Sequence, residues 1–201
     1  MIEYLRDDVK KVISASRFNH TLGVEVAAVK IGIAVNHQNL FQIQSAALLH
    51  DITKEYSFEK QLKICDEFGI ILRNDEIESP QILHAITAAA IIPCKYPQFA
   101  SENIISAVRW HTTGRKNMTL SDKIIYLSDY IEDGRKHDSC IQLREMFWNV
   151  FSKCQTYEEK ISCINGAIKI MLSNTIDFLN ATNVKVNVDT IEFLNDIQRS
   201  T

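Results

Sequence analysis

The sequence has few of the residues that interrupt helices, with only 6 glycines and 3 prolines among 201 residues. Tight β-hairpins need such residues in their turns, so a sheet built from hairpins is not expected. Apolar side chains instead recur about every 3.6 residues along the chain, which is the period of an amphipathic helix. The sequence therefore predicts an all-α fold in the form of a single-domain helical bundle.

Long hydrophobic runs are missing as well. The longest uncharged apolar segments, such as AITAAAIIP before Lys95, are much shorter than the roughly 20 residues that a membrane span needs. The net charge of -3, from 22 basic and 25 acidic residues, gives no general attraction to nucleic acid or anionic membranes. The N-terminal segment MIEYLRDDVKK is charged throughout and lacks the apolar region of a secretory signal. We therefore expect a soluble, cytoplasmic protein that binds neither nucleic acid nor membranes.

The five cysteines form no recognisable pattern, because they are odd in number, widely spaced and without a C-x-x-C pair. We expect reduced, mostly buried thiols rather than a zinc site or a set of disulfides. The chain is long enough to bury a core and suits one domain, 1–201. Few candidate ligands follow residue 140, so we expect the chemistry within 17–135 and expect the helices of 140–201 to complete the core.

Helix caps and prolines set the expected boundaries. Ser57 is suited to N-capping, Thr156 begins a T-x-x-E capping box, and Pro80 and Pro93 bracket one helix. The segment VKVNVD alternates like a strand but has no partner strand, so we expect an extended linker there. The predicted helices cover residues 2–14, 17–34, 40–50, 57–68, 81–92, 101–110, 121–134 and 156–180, followed by a last helix capped by Asp189 and Glu192.

The stretch SAALLHDITKEY, residues 45–56, places His50 and Asp51 directly after an apolar helical segment. Burying an unpaired carboxylate costs several kcal/mol, so a compensating partner must exist. One candidate is a cation that the imidazole and the carboxylate hold together. Consecutive side chains on a helix point about 100° apart, so both reach one ion only where the helix ends or where the ion lies close to the backbone. The turn-forming residues that follow predict such an end here.

Further ionisable residues follow or interrupt apolar segments on other predicted helices. They are His20, His84, His111 and Asp129. Inward-facing side chains from separate helices of a bundle can converge on one point, which is how metal sites in bundles are built. Nitrogen and oxygen ligands without thiolate suit iron, manganese, zinc and similar ions. The residues alone therefore indicate a candidate metal centre built from several helices.

These residues lie in stretches that resemble the HD-domain superfamily of metal-dependent phosphohydrolases, which has the pattern H…HD…D. The pattern falls on His20, His50, Asp51 and Asp129. In more detail, the sequence is similar to the bacterial YqeK family of symmetrical diadenosine tetraphosphate hydrolases. The matching stretches are RFNHTLGVEVAA, AALLHDITK, ILHAITAAA, WHTTGRKNMTLSDKIIYLSDYIEDGR and DTIEFLNDI. The family tends to have alanine and proline where this chain has Ser128 and Asp133, and neither departure changes a candidate ligand.

The resemblance implies a divalent or mixed-valence metal centre, most simply iron, with manganese or another divalent ion as the alternative. The implied ligands are His20, His50, Asp51 and Asp129. The implied reaction is hydrolysis of diadenosine tetraphosphate to two ADP, with Asp51 as a candidate catalytic proton acceptor. His84 and His111, also catalytic candidates, would complete a second metal site, hold the polyphosphate or, if protonated, stabilise the leaving group. Of the first two roles we favour phosphate contact.

Basic and hydroxyl side chains beside the motif are expected to bind the phosphates. The predicted substrate-binding residues are Arg17, His20, Lys54, His84, His111, Thr112 and Arg135. The alternative for Lys54 is an exposed ion pair with Glu55, and the two arginines have a similar alternative. His37 and His137 are interpreted as ordinary surface residues.

Two rival functions remain open. The same metal site could act on another nucleotide, such as a nucleoside phosphate or a guanosine polyphosphate, since a fold does not decide chemistry. A non-catalytic nucleotide-binding regulator would keep the pocket without turnover, although every candidate ligand is present. The expected partner is thus a dinucleoside polyphosphate or nucleotide. An apolar stripe on a C-terminal helix is expected to be core or part of a homodimer surface.

Overall fold

The computed structural model describes residues 1–199, and all regular structure in that part of the chain is helical. Its α-helices, numbered in chain order, are α1 (Ile2–Val12), α2 (Ala15–Ala34), α3 (Leu40–Leu49), α4 (Phe58–Glu67), α5 (Asn74–Ile77), α6 (Leu83–Lys95), α7 (Glu102–Trp110), α8 (Leu120–Ile131), α9 (Asp138–Phe151), α10 (Tyr157–Ala181) and α11 (Val188–Arg199). A single 3-10 turn precedes each of α6 and α7. The all-α prediction is confirmed.

The helices enclose one large apolar core. Its buried side chains extend from Leu5 in α1 to Ile197 in α11, so the C-terminal helices pack on the same core as the N-terminal ones. Helix α2 packs against both α3 and α8, and α3 also contacts α7. Most of the side chains of α3 are buried, and the chain that leaves this helix at His50 remains fully buried. The fold therefore brings the end of α3 into the interior, between α2 and α8.

The predicted caps lie at helix ends. The side chains of Ser57 and Thr156 each accept a hydrogen bond from the backbone N–H of the third residue in the following helix. Gly69 follows α4 with a φ of 64°, a left-handed conformation that glycine adopts without strain. These local signals explain why the boundaries of α4 and α10 agree closely with the prediction.

Three features differ from the prediction. Helices α5 and α9 are not among the predicted helices, and the N-cap residue of α9, His137, makes no side-chain cap, so its start signal is absent. Pro93 lies inside α6 rather than beyond its end. It is exposed in the last turn, and Tyr96 N still donates to Ile92 O at 2.8 Å, so the helix continues past the single missing amide.

The predicted linker lies in no helix or strand up to Asn187, and α11 begins at Val188. Asp189 therefore lies in the first turn of α11 instead of capping it. The cap position is taken by Asn187, whose Oδ1 accepts a hydrogen bond from Asp189 N at 3.0 Å. A short polar side chain thus starts this helix as expected, two residues earlier than predicted.

A cluster of charged side chains, of which all but Arg73 are buried or partly buried, joins the last helix to α5 and α7. We call it the C-terminal ion cluster, and it consists of Arg73, Asp75, Glu76, Arg109 and Asp189. Arg73 donates to Asp75 at 3.0 Å and to Asp189 at 2.6 Å. Arg109 donates to Glu76 at 2.8 Å. The cluster fixes the position of α11 against the rest of the bundle.

Within residues 1–199, no helix has both the length and the apolar composition that crossing a bilayer requires. All five cysteines are free. Cys65 and Cys140 are buried, but Cys94 is exposed and the other two are half-buried. The prediction of mostly buried thiols is therefore wrong, because Cys94 lies on the solvent side of the last turn of α6.

Candidate metal centre

Four predicted ligands meet at the end of α3. His50 and Asp51 follow the last residue of this helix, while His20 belongs to α2 and Asp129 to α8. His20 Nε2 lies 3.0 Å from Asp129 Oδ1 and 3.6 Å from Asp51 Oδ2. His50 Nε2 lies 3.4 Å from Asp51 Oδ2 and 3.9 Å from Asp129 Oδ1. The consecutive helices α2 and α3 and the distant α8 therefore place two imidazoles and two carboxylates around one point.

The ring of His50 is held so that one nitrogen faces this point. Its Nδ1 donates to the backbone carbonyl of Ala47 at 2.6 Å. Its Nε2 is buried and has no hydrogen-bond partner in the described part of the chain. A hydrogen bond from Nδ1–H fixes the tautomer and ring orientation, which leaves the Nε2 lone pair free to bind a metal ion.

The other two predicted histidines lie on the opposite side of Asp51. His84 Nε2 is 3.1 Å and His111 Nε2 is 3.6 Å from Asp51 Oδ1, and the two Nε2 atoms are 3.0 Å apart. His111 Nδ1 donates to Val108 O at 2.7 Å, which repeats the arrangement of His50. The ligand atoms therefore form two sets, and within each set all atoms lie within 4.8 Å of one another. The first set consists of His20, His50 and Asp129, and the second of His50, Asp51 and His111. The Asp51 carboxylate thus lies between two groups of histidines.

Burial strongly affects the protonation of these groups. It lowers the pKa of His84 to about 4 and also lowers the pKa of His111, so both rings are neutral near pH 7. Burial alone would raise the pKa of Asp51. The charge of His50 and the hydrogen bonds from the surrounding imidazoles outweigh that effect and hold the pKa of Asp51 well below its usual range. An ionised Asp51 carboxylate and the neutral rings of His84 and His111 are the protonation forms in which these groups bind a cation.

The residues present fit a divalent cation. Two carboxylates this close together need positive charge nearby. Part of it comes from Arg17, whose Nη1 lies 2.8 Å from Asp51 Oδ2, and from Arg135, which pairs with Asp129. The unpaired Nε2 of His50 points to a further electrophilic partner, and an all nitrogen and oxygen donor set suits iron, manganese or zinc.

Lys54 lies against this centre. Its Nζ is 3.3 Å from His84 Nδ1, and burial lowers its pKa. It forms no ion pair with Glu55, whose carboxylate accepts a hydrogen bond from Ser14 N at 2.7 Å instead. The alternative of an exposed Lys54–Glu55 pair therefore does not hold. Thr112 follows His111, and its Oγ1 is buried without a hydrogen-bond partner among the residues described.

A cavity of about 700 Å³ lies beside the centre. Its lining includes Arg17, His20, Arg135 and Lys136, so three basic side chains adjoin a candidate ligand. Arg135 Nε also donates to the backbone carbonyl of Asp129 at 2.8 Å. Two of the predicted phosphate-binding arginines therefore line a space next to the ligand cluster.

Glu132 also belongs to the site, and the sequence analysis missed it. Its Oε1 lies 3.0 Å from His20 Nδ1, and its Oε2 accepts a hydrogen bond from Gly134 N at 2.5 Å. Burial lowers the pKa of His20, but hydrogen bonds to Asp129 and Glu132 raise it overall to about 9. A side chain at Gly23 would collide with this carboxylate. The only signal in the sequence is the position of Glu132 inside SDYIEDGR, three residues after Asp129.

Comparison with known proteins decides the family. The profile described as HD domain matches residues 17–134. The chain belongs to the HD-domain family. The match contains all six predicted histidine and aspartate residues and also Glu132, so the HD domain holds the whole ligand cluster.

Two bacterial relatives of this HD-domain protein share a name. A "Bis(5'-nucleosyl)-tetraphosphatase, symmetrical" of Staphylococcus aureus is 30% identical over 195 residues, covering 96% of this chain and 93% of that protein. A protein of the same name from Bacillus subtilis is 28% identical over 184 residues, covering 90% and 89%. The family predicted from the motif stretches is confirmed.

The similarity to a solved HD-superfamily structure is not confined to the segment that the profile matches. A crystal structure from Clostridium acetobutylicum, described as a "predicted HD superfamily hydrolase involved in NAD metabolism", is 28% identical with a TM-score of 0.86. The similarity covers 100% of this chain and 98% of that chain. The helices that follow the HD-domain match are therefore part of the fold shared with this relative.

Proposed function

We propose that this HD-domain protein is a cytoplasmic, metal-dependent hydrolase that splits diadenosine tetraphosphate into two ADP. The observation that carries the proposal is the convergence of His20, His50, Asp51 and Asp129 beside a cavity lined in part by basic side chains. The relatives named as symmetrical bis(5'-nucleosyl)-tetraphosphatases, at 28 to 30% identity over most of the chain, support the choice of substrate.

In this proposal the metal is held by His20, His50, Asp51 and Asp129, and iron is the ion that we propose. When bound, a divalent cation lowers the pKa of water and neutralises negative charge on phosphate oxygens. His84 and His111 face Asp51 from the other side and would contact the polyphosphate or bind a second ion. Both of these roles agree with the neutral imidazole rings of His84 and His111.

The side chains of the protein would orient and neutralise the substrate. The ionised Asp51 carboxylate accepts a hydrogen bond from the attacking water and directs its lone pair toward phosphorus. Arg17 and Arg135 place guanidinium charge at the cavity, where each can bind a phosphate through two hydrogen bonds. His84 carries a proton only if a neighbouring phosphate raises its pKa, so its default contribution at neutral pH is a hydrogen bond.

The test is a product analysis of the iron-loaded protein. Incubation with diadenosine tetraphosphate should release ADP as the sole nucleotide product, separated by chromatography. ATP together with AMP would show asymmetric cleavage and would contradict the central position of the attack. ADP release no faster than the attack on nucleoside monophosphates would exclude the proposed substrate.

The rival functions are separated by the same assay with other substrates. Guanosine polyphosphates and nucleoside phosphates test a different nucleotide specificity. Nucleotides related to NAD belong in this series because of the description of the Clostridium acetobutylicum structure. Tight nucleotide binding without turnover of any of them would favour the non-catalytic regulator.

A further inference from the structure

A second cavity of about 460 Å³ lies next to the cavity of the metal centre. It is formed by the end of α8, the segment that leads into α9, the start of α9 and the C-terminal half of α10. Its lining includes Tyr130, Arg135, His137, Asn174, Asp177 and Phe178. Arg135 and His137 line both cavities. The two spaces are therefore neighbours, and Arg135 stands where they adjoin.

The side chains of this second cavity differ from those near the metal centre. Phe178 is 58% exposed, whereas Tyr130 in the same lining is partly buried. Its ring meets the ring of His137 at a centroid distance of 6.5 Å and an interplanar angle of 80°. Asn174 and Asp177 add hydrogen-bonding groups at the same helix end. An aromatic face combined with a few polar groups is typical of sites for planar heterocycles.

Charge decides which part of a nucleotide suits each cavity. The cavity at the metal centre contains Arg17, Arg135 and Lys136 together with Glu132 and Asp133, so its basic side chains outnumber its carboxylates and favour phosphate. In the second cavity the charge of Arg135 is balanced by the carboxylate of Asp177, which accepts hydrogen bonds from the amino group of a base. A phosphate chain in the first cavity therefore directs an uncharged nucleoside toward the second.

We propose that the second cavity binds one purine nucleoside of the substrate, with the base against the ring of Phe178. Asn174 and Asp177 contact polar atoms of the base, and Arg135 binds the adjoining phosphate. This inference rests on the proposed function, because it requires a nucleotide whose phosphates lie at the metal centre. Recognition of the base is thereby assigned to α10, a helix that follows the segment matched by the HD-domain profile.

The experiment compares two ligands that differ only in the presence of the nucleoside. Binding of ADP and of inorganic pyrophosphate to the metal-loaded protein is measured by calorimetry, with wild type and Phe178→Ala. We expect Phe178→Ala to weaken ADP binding by about tenfold, since stacking on an aromatic ring contributes that order of affinity. Pyrophosphate binding should change by less than about twofold, because the phosphate contacts remain.

Tyr157→Ala is the matched control. Tyr157 is an aromatic residue of the same helix with a similar exposure of 52%, at the opposite end of α10. Its removal should leave the binding of both ligands unchanged. Melting curves of the two variants are recorded beside the binding data, and equal midpoints establish that neither substitution unfolds the helix.

The possible outcomes separate this inference from the proposed function. Wild-type protein that binds ADP no more tightly than pyrophosphate would overturn the nucleoside site, and so would a Phe178→Ala variant with unchanged ADP affinity. A selective loss of ADP binding in a protein that does not hydrolyse diadenosine tetraphosphate would support the nucleoside site and reject the proposed reaction. Equal weakening of ADP and pyrophosphate would show that Phe178 acts on the phosphate site, which also overturns the inference.

Discussion

Two polar clusters of this molecule handle charge differently. In the C-terminal ion cluster each buried carboxylate has its own donors, since Asp75 accepts from Arg73 at 3.0 Å and Glu76 accepts from Arg109 at 2.8 Å. At the end of α3, by contrast, two carboxylates and four imidazoles face one another, and His50 Nε2 has no hydrogen-bond partner in the described residues. Charged groups that are all paired indicate a structural role. Convergent groups that include a buried nitrogen without a hydrogen-bond partner indicate a binding site for a metal ion or another ligand.

The largest expected effect is the loss of catalysis when a convergent carboxylate is removed. Asp129→Asn should lower the rate of ADP release by at least about a thousandfold, because it removes a proposed ligand and its negative charge. The rate is measured by chromatography at saturating metal. The same change in the other cluster, Asp189→Asn, should leave the rate of the folded protein unchanged. Equal rates for Asp129→Asn and wild type would remove the distinction between the clusters.

For the free energy of unfolding, a large effect is expected in the C-terminal ion cluster. Glu76→Ala leaves the largely buried Arg109 without its carboxylate, and breaking such a pair should lower the free energy of unfolding by about 3 kcal/mol. Urea denaturation measures this loss. Metal content and the rate per folded molecule should stay at wild-type values, and a large fall in either would mean that the C-terminal ion cluster also serves the active centre.

A smaller effect, on metal affinity, is expected at Glu132, whose carboxylate contacts His20 Nδ1. Glu132→Gln removes the negative charge and places an amide where one oxygen now accepts from Gly134 N. Metal affinity, measured by competition with a chromogenic chelator, should fall by about tenfold, as is usual for a residue that orients a metal-binding histidine. The neighbouring Asp133→Asn is the control, because its side chain is 93% exposed. A loss of the same size in both variants would refute the positioning role of Glu132.

The smallest expected effect concerns acid stability. Hydrogen bonds from Arg73 are the main cause that lowers the pKa of Asp75 in the folded protein. The stabilisation from this carboxylate is therefore present above its unfolded pKa of about 3.9 and is lost as the pH falls through the lower folded value. Asp75→Asn should be less stable than wild type at about pH 5 to 7, where the carboxyl group of Asp75 is ionised in both the folded and the unfolded protein. The two proteins should become more alike in stability as the pH falls below the folded pKa of Asp75. A difference that does not depend on pH would show that the charge of Asp75 is unimportant.

Much of the fold follows from local signals in the sequence. The cap at Ser57, the capping box at Thr156 and the glycine after α4 act within one turn of the chain, so their effect can be predicted without tertiary structure. Helix α9 has no side-chain cap, and Pro93 is tolerated because it lies on the exposed side of a last turn. Both depend on packing and exposure, which the local sequence does not contain.

Some residues of the site can also be predicted from the sequence, whereas others depend on how the helices pack. His50 and Asp51 can be selected from the sequence because two ionisable residues directly follow an apolar helix. The family resemblance then identifies the other proposed metal ligands. The contact between Glu132 and His20 depends on how α2 packs against the end of α8, so spacing alone gives no reason to select it. The position of Lys54 against His84, rather than beside Glu55, is likewise set by burial in the folded chain.

The metal content of protein purified without oxygen tests the central claim most directly. We predict a stoichiometric amount of iron, or of another divalent metal, in the wild type and its loss in His50→Ala, together with the loss of ADP release from diadenosine tetraphosphate. Chelation should abolish the wild-type reaction, and adding the metal back should restore it. Full ADP release by protein that elemental analysis shows to be free of metal would contradict the role assigned to the convergent histidines and carboxylates.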